Sequence, residues 1–266
     1  MGRFEGKVVL VTGGNRNTGL WLVKKFVDEG ARVFACARNE KSAAEGVASL
    51  QAMGVEGVRM LLCNVSERAE VDAMFDVIER EAGRLDVLVN NAANQGIGHG
   101  DPLAMDPQRF HEVLNVNVIG GFQVTQQACV RFFMKQGTEP GKGRGAVVFL
   151  SSNTARRAIR GRTAYCSSKG AINSMVRALA LDLGPRGIRV NCCAPGYINT
   201  ERWDTLDPEI AARRRLNCPL RKEATGADIA GVVAFLASDE AGNMTGEIVT
   251  CDAGCSCQHM PEDTDR

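Results

Sequence analysis

The chain has 266 residues, 44% hydrophobic and 24% charged, which is enough apolar content for a full core and excludes a disordered chain. Its 32 basic and 31 acidic residues leave a net charge of +1, so no global field points to nucleic acid or a membrane surface as partner. No run of about 20 apolar residues could span a bilayer, and MGRFEGKVVLVTGG enters a strand too early for a signal peptide, which predicts a cytoplasmic protein.

Lys7 to Val11 is a β-branched run that breaks into Thr12-Gly13-Gly14-Asn15-Arg16-Asn17-Thr18-Gly19, after which Leu20, Val23, Phe26 and Val27 keep helical spacing up to Gly30. Strand, glycine turn and helix in that order set backbone N–H groups and a helix N-terminus where a pyrophosphate can bind. Alone, this is an ordinary strand-to-helix turn; a second strand, Arg32 to Ala35, completes the first half of a dinucleotide fold. An acid after that strand would suit the ribose 2′-hydroxyl of NAD, whereas a 2′-phosphate needs cations. Ala37-Arg38 stands there, and Arg38 with Arg16 offers two guanidinium forks, which predicts NADP(H) over NAD.

A helix pattern over Ser42–Met53 leads to a strand over Val58–Cys63 that ends in Asn64-Val65, with Asn64 a candidate to meet the adenine. A helix over 67–82 precedes Leu85 to Ala93, a continuous apolar strand of the kind buried in a parallel sheet. The loop 94–105 carries His99, a possible base that is more often simply exposed in such a loop. A long helix follows through Phe110, Val113, Leu114, Asn117, Val118 and Phe122 towards Phe133, and Asn117 in its apolar stripe is expected to satisfy buried backbone or water.

The central stretch is 147–183. Val147 to Leu150 reads as a buried strand ending in Ser151 and Ser152, and the apolar phase of the following helix puts Tyr165 and Lys169 on neighbouring turns of one face. A phenol is a weak base near neutrality, but a fixed ammonium favours the phenolate. So tuned, Tyr165 can exchange a proton with an alcohol or carbonyl oxygen while a hydride moves at the adjacent carbon, and Ser152 can hydrogen-bond the same oxygen. An isolated Tyr-x-x-x-Lys is more often a surface pair; here the tyrosine, one of only two, stands thirteen residues after a serine at a strand end.

Ile188 to Cys193 forms a further strand, followed by Ala194-Pro195-Gly196-Tyr197-Ile198-Asn199-Thr200, where Thr200 and the backbone near Ile198 could meet a nicotinamide amide. The charged segment 201–220 suits a mobile lid, helix 227–238 and strand 247–251 close the sheet, and the tail 255–266 is expected to fray. With no linker, residues 1–254 read as one domain with a lid at about 198–220. The cysteines are mostly scattered in apolar runs, as reduced thiols pack; Cys251, Cys255 and Cys257 cluster, but without matched histidine spacing no metal site is expected.

Together these motifs resemble the classical short-chain dehydrogenase/reductases from Val8 to Gly254. The resemblance implies an α/β fold, a doubly wound, Rossmann-type, seven-stranded parallel sheet. It also implies a catalytic tetrad of Asn117, Ser152, Tyr165 and Lys169, with Asn117 holding a water that connects Lys169 to solvent, and a homotetramer or homodimer. The cofactor-binding candidates are Gly13, Asn15, Arg16, Asn17, Thr18, Gly19, Arg38, Asn64, Val65, Asn91, Ala92, Tyr165, Lys169, Pro195, Gly196, Ile198 and Thr200. The chain departs from the family pattern at Asn17 in place of a glycine, at Ala93 in place of a glycine, and at Asn64 in place of an aspartate.

Arg156, Arg157, Arg160, Arg162, Arg213, Arg214 and Arg215 fall in two segments expected to flank the substrate mouth, which suggests an apolar substrate bearing an anionic group, with Asn94, Ile159 and Trp203 as contacts. Two enzyme readings follow. The first is a hydroxysteroid dehydrogenase acting on a bile-acid-like alcohol; the alternative is a 3-oxoacyl thioester reductase served by an acidic carrier. A regulator that binds NADP without chemistry is the reading of another class, and the intact Tyr165 and Lys169 weigh against it.

Overall fold

A computed structural model describes residues 2–95, 100–137, 143–200 and 206–258. Seven parallel strands form one sheet in the order β3-β2-β1-β4-β5-β6-β7. They are β1 Val8–Thr12, β2 Arg32–Ala37, β3 Arg59–Leu62, β4 Val87–Asn90, β5 Gly145–Leu150, β6 Ile188–Pro195 and β7 Ile248–Cys251. The order reverses between β1 and β4, and a sheet of this kind opens a crevice beyond the C-terminal strand ends at that point.

Side-chain alternation along each strand feeds two cores. On one face Leu10, Phe34 and Phe149 pack with Phe75 and Ile78 of α3 (Arg68–Ala82), Val124 of α5 (Gly121–Arg131) and Ile172 and Val176 of α6 (Thr163–Leu183). On the other, Val9, Val11 and Val148 pack with Leu22 and Phe26 of α1 (Thr18–Asp28), Leu50 of α2 (Glu40–Ala52) and Ile229 and Val233 of α8 (Gly226–Ala237). Both cores share the strands, so the C-terminal strand ends are held from both sides.

Four expectations need correction. The strand foreseen over Leu85–Ala93 is only Val87–Asn90, because the backbone N–H groups of Asn91 and Ala92 turn to the Thr12 hydroxyl, at 3.0 and 3.1 Å, instead of a neighbouring strand. The long helix is α4 (Pro107–Leu114), a π-helical segment over Asn115–Gly120, and then α5. The lid segment contains a helix, α7 (Pro208–Leu216), entered through Asp207, whose carboxylate accepts from the Glu209 N–H at 2.8 Å. The described part of the tail is packed, not frayed: Cys255–Cys257 make a short 3-10 turn, Cys255 is buried, and its carbonyl accepts from Arg157. His99 and Trp203 lie outside the described residues.

Candidate active site

β5 ends at Leu150, so Ser151 and Ser152 stand at its C-terminal edge, and α6 starts at Thr163, which puts Tyr165 in its first turn and Lys169 one turn further. Lys169 is only 3% exposed; its Nζ donates to the Leu150 carbonyl at 2.8 Å and lies 5.5 Å from the Tyr165 ring centroid. The Ser151 hydroxyl donates to the Lys169 carbonyl at 3.1 Å, lacing α6 to the strand end. Ser152 Oγ accepts from the Thr154 N–H at 3.2 Å; this bond occupies a lone pair and not the hydroxyl hydrogen. Burial pushes the Lys169 ammonium down to about 8, so the cation foreseen beside Tyr165 dominates only below that pH.

Asn117 sits in the π-helical turn, buried. Its Oδ1 accepts from the Asn94 N–H at 2.7 Å, and its Nδ2 donates to Ser168 Oγ at 3.0 Å and to the Asn94 carbonyl at 3.3 Å. The expected service to buried backbone is therefore to Asn94. The Ser168 hydroxyl donates to the Tyr165 carbonyl at 2.7 Å, completing a chain from the β4 loop through the π segment to the α6 turn that bears Tyr165. Widened turns of this kind recur at functional positions in helices. Sequence reasoning missed Ser168, although it directly precedes Lys169 on the same helix.

At the glycine turn, Gly13 has φ +62° and a Cβ there would stand 3.0 Å from Ala92 Cα; a Cβ on Gly19 would stand 2.1 Å from the Gly13 carbonyl oxygen. Thr12, another residue not singled out, braces this turn through the two N–H groups it accepts and the Val89 carbonyl, to which it donates at 3.3 Å. Asn91 Nδ2 donates to the Thr12 and Gly13 carbonyls at 3.0 and 2.9 Å. The close packing sets the turn and the α1 N-terminus at Thr18 beyond the C-terminal end of β1, an arrangement that fits a dinucleotide pyrophosphate. Arg16 and Arg38 are exposed and enter no ion pair among the described residues.

Other candidates differ from expectation in detail. The Asn15 amide donates to the Ser42 carbonyl at 3.1 Å, anchoring the turn to α2. Asn64 Oδ1 accepts from the Ser66 hydroxyl at 2.9 Å and the Ser66 N–H at 3.3 Å, so only its amide nitrogen remains for an adenine. Val65 is buried, with its carbonyl taken by Gln123. Pro195 and Gly196 end β6, and Ile198 forms a bridge to Ala224 that uses the Tyr197 carbonyl and the Asn199 N–H, leaving Ile198's own backbone groups outside it. Thr200 is partly buried beyond.

The seven arginines separate. Arg157 is committed to the Cys255 carbonyl, Arg215 to Glu223 at 2.7 Å, and the Arg214 guanidinium lies 5.5 Å from the Tyr197 ring centroid. Arg156, Arg160 and Arg213 are exposed, as is Ile159 at 48%. Arg162 lies 6.0 Å from the Tyr165 ring centroid, with Nη1 donating to the Gln95 carbonyl at 3.4 Å. Among the described residues no group of three or more His, Cys, Asp or Glu is arranged to hold a metal, and no helix is long and apolar enough to cross a membrane.

The sequence profile of the family described as Enoyl-(Acyl carrier protein) reductase matches residues 15–256. The chain belongs to the short-chain dehydrogenase/reductase family. Membership makes it an oxidoreductase and implies a nicotinamide cofactor. This short-chain dehydrogenase/reductase is 33% identical over 257 residues to a 3-oxoacyl-(acyl-carrier-protein) reductase MabA of Mycobacterium avium, covering 96% of this chain and 92% of the relative. It is 35% identical over 243 residues to an L-fucose dehydrogenase of Bos taurus, covering 89% and 85%. A solved short-chain type dehydrogenase/reductase from Mycobacterium ulcerans superimposes with a TM-score of 0.86 at 27% identity, covering 97% of this chain and 93% of that one.

Proposed function

We propose that this short-chain dehydrogenase/reductase is an NADP(H)-dependent ketoreductase that reduces a 3-oxoacyl thioester to the 3-hydroxyacyl thioester. The observation that carries the chemistry is the buried Lys169 beside the Tyr165 ring and bonded to the C-terminal end of β5, the strand end that Ser152 follows. The acyl substrate is supported by the acyl-carrier-protein reductase among its relatives, which favours this reading over the bile-acid-like alcohol that the sequence suggested first. Arg16 and Arg38, exposed at the glycine turn and the β2 end and in no ion pair among the described residues, support NADP(H) over NAD(H).

Gly13, Thr18 and Gly19 would hold the pyrophosphate, Arg16 and Arg38 a 2′-phosphate, and Ile198 and Thr200 the nicotinamide end. NADPH held by these residues would supply the hydride for the carbonyl carbon. Tyr165 gives its phenolic proton to the carbonyl oxygen, while the Ser152 O–H hydrogen-bonds that oxygen as charge develops on it. Lys169 stabilises the phenolate left on Tyr165, and the bond from Lys169 to the Leu150 carbonyl holds the ammonium in place. Asn117 and Ser168 position the Tyr165 turn against the β4 loop. The exposed Ile119, Phe122 and Val130 on the π segment and α5 support self-association as a homodimer or homotetramer, which sedimentation reads directly.

The test is NADPH oxidation, with NADH in parallel, across 3-oxoacyl thioesters, ketosteroids, sugars and simple ketones. Turnover confined to neutral sugars would sink the acyl reading in favour of the sugar chemistry named for the bovine relative. Tyr165→Phe removes only the titrating oxygen, so it should retain NADPH binding and lose at least about 100-fold in kcat. Unchanged turnover in that variant would remove Tyr165 from the mechanism.

A further inference from the structure

We propose that the cavity between α6 and the edge strand β7 is a second ligand site, which binds a small organic phosphate through Arg156 and Arg177. The cavity measures about 530 Å³, in the size range of a small-molecule site, and its walls come from the segment after Ser152, from α6 and from β7. It lies apart from the crevice beyond β1 and β4, because β5 and β6 stand between β4 and β7 in the sheet. The inference goes beyond the proposed reaction and does not depend on it.

The polar groups around it are donors in want of an acceptor. Asn173, only 9% exposed, lines the cavity from α6; its Oδ1 lies 4.0 Å from the buried Cys192 thiol, and its Nδ2 donates to nothing among the described residues. A buried amide nitrogen without an acceptor costs stability, and a ligand oxygen in the cavity would supply one. Arg177 follows four residues later on the same face of α6, and Arg156 comes from the loop after β5. Both are exposed, and neither guanidinium enters a hydrogen bond or ion pair among the described residues. Burial pushes the Cys192 thiol up to about 12 and the Arg177 charge opposes that shift, so Arg177 and Asn173 approach one point on β6. Thr250 on β7 adds a hydroxyl.

Neither charge balance nor packing accounts for this arrangement. Two guanidinium groups line one cavity and, among the described residues, no Asp or Glu does, so the protein leaves their repulsion uncompensated. Gly170, inside the 21-residue α6, lines it as well. A Cβ there would meet nothing within 4 Å, so no close neighbour requires a glycine, whereas the helix would favour alanine. The missing side chain leaves the cavity open. Forked guanidinium donors, an amide N–H and a hydroxyl match the acceptor oxygens of a phosphate. The cavity is larger than a bare phosphate needs, and the half-buried Ile248 on β7 offers an apolar surface to the organic part of an ester.

The experiment is calorimetric titration of phenyl phosphate at about pH 8, where the ester is a dianion. The enzyme is first saturated with whichever of NADP+ and NAD+ it binds more tightly, so that the cofactor crevice is filled. The wild type should bind the ester, and Arg156→Met and Arg177→Met should each weaken binding by at least about 10-fold. Gly170→Leu, which fills the cavity, should abolish it. Benzyl alcohol, which has the ring without the charge, should not bind, and inorganic phosphate should bind more weakly than the ester. A wild type that binds no phenyl phosphate overturns the inference, as does binding that survives the paired arginine changes or the filled cavity, since the anion then lies elsewhere. A parallel loss of cofactor affinity in the arginine variants overturns it too, by placing the anion in the crevice. Arg156 and Arg177 are exposed, so their variants should melt as the wild type does; if Gly170→Leu fails to fold, the arginine pair decides.

Discussion

Lys169 carries an opposed pair of demands. The site needs its charge beside Tyr165, yet full burial lowers its pKa from 10.5 to about 8. Between those two values the unfolded chain holds a proton that the folded protein has released, so stability rises with pH across that window; below about pH 8 both states are charged and the whole cost is present. The cost is on the order of 3 kcal/mol. Denaturant titrations of the cofactor-free protein at pH 7 and pH 9.5 should show the wild type gaining on Lys169→Met at the higher pH; parallel behaviour would mean the ammonium is better solvated than its burial implies. Arg16 and Arg38 make the complementary prediction at the cofactor. Changing Arg38 to Asp should cost NADP(H) at least about 10-fold in affinity and narrow or reverse the preference over NAD(H), read by direct titration of both cofactors. The proposed trio of Ser152, Tyr165 and Lys169 was legible because helix period and a strand end tie the three, whereas a catalytic part for Asn117 came only from the family resemblance. Ser168 and Thr12 were not, since a serine or threonine gives no sign of which backbone it will bond.

The entry to α1 turns on one backbone conformation. Asn17, which stands where the family pattern has glycine, is held at φ +48° and ψ −128°, a region that glycine occupies freely and that strains other residues, and its side chain makes no capping bond. Asn17→Gly should therefore raise stability by about 0.5–1 kcal/mol, net of the entropy a glycine adds to the unfolded chain, and tighten NADPH binding; a lower Tm would show that Asn17 earns its place by some other contact. The amphipathic helices were readable from period alone. The π segment over Asn115–Gly120 was not, because the apolar stripe continues on both sides of one widened turn. α7 escaped for the opposite reason: in a nine-residue helix bearing Arg213, Arg214 and Arg215, only Ala211 is buried, so almost no apolar phase marks it.

Across the molecule, the two cores are tied through shared strands, and the second core is closed by direct contact between α1 and α8. A Cβ on Gly226, the first residue of α8, would stand 2.0 Å from Cδ1 of Trp21 on α1. Gly226→Ala should destabilise by about 1–3 kcal/mol, and much of that loss should vanish when Trp21 is also changed to Ala, a coupling that a double-mutant cycle in urea would measure. If the two changes simply add, α1 and α8 accommodate each other without contact at that point. What the amino-acid sequence determined by itself was everything set by local period and chemistry. That covers strand–turn–helix alternation, hence a parallel doubly wound sheet, and the Tyr165/Lys169 face with Ser152 before it. It also covers the cationic pair that takes the place of an acid after β2. Only the tertiary structure decided which side chains spend their polar groups on backbone and which keep them for a ligand. It tied Asn15 to Ser42 and Arg157 to Cys255, joined Asn117 to Asn94 and Ser168, and buried Lys169. Those outcomes depend on neighbours brought together from far along the chain, and burial and hydrogen-bond competition are properties of that company, not of the residue.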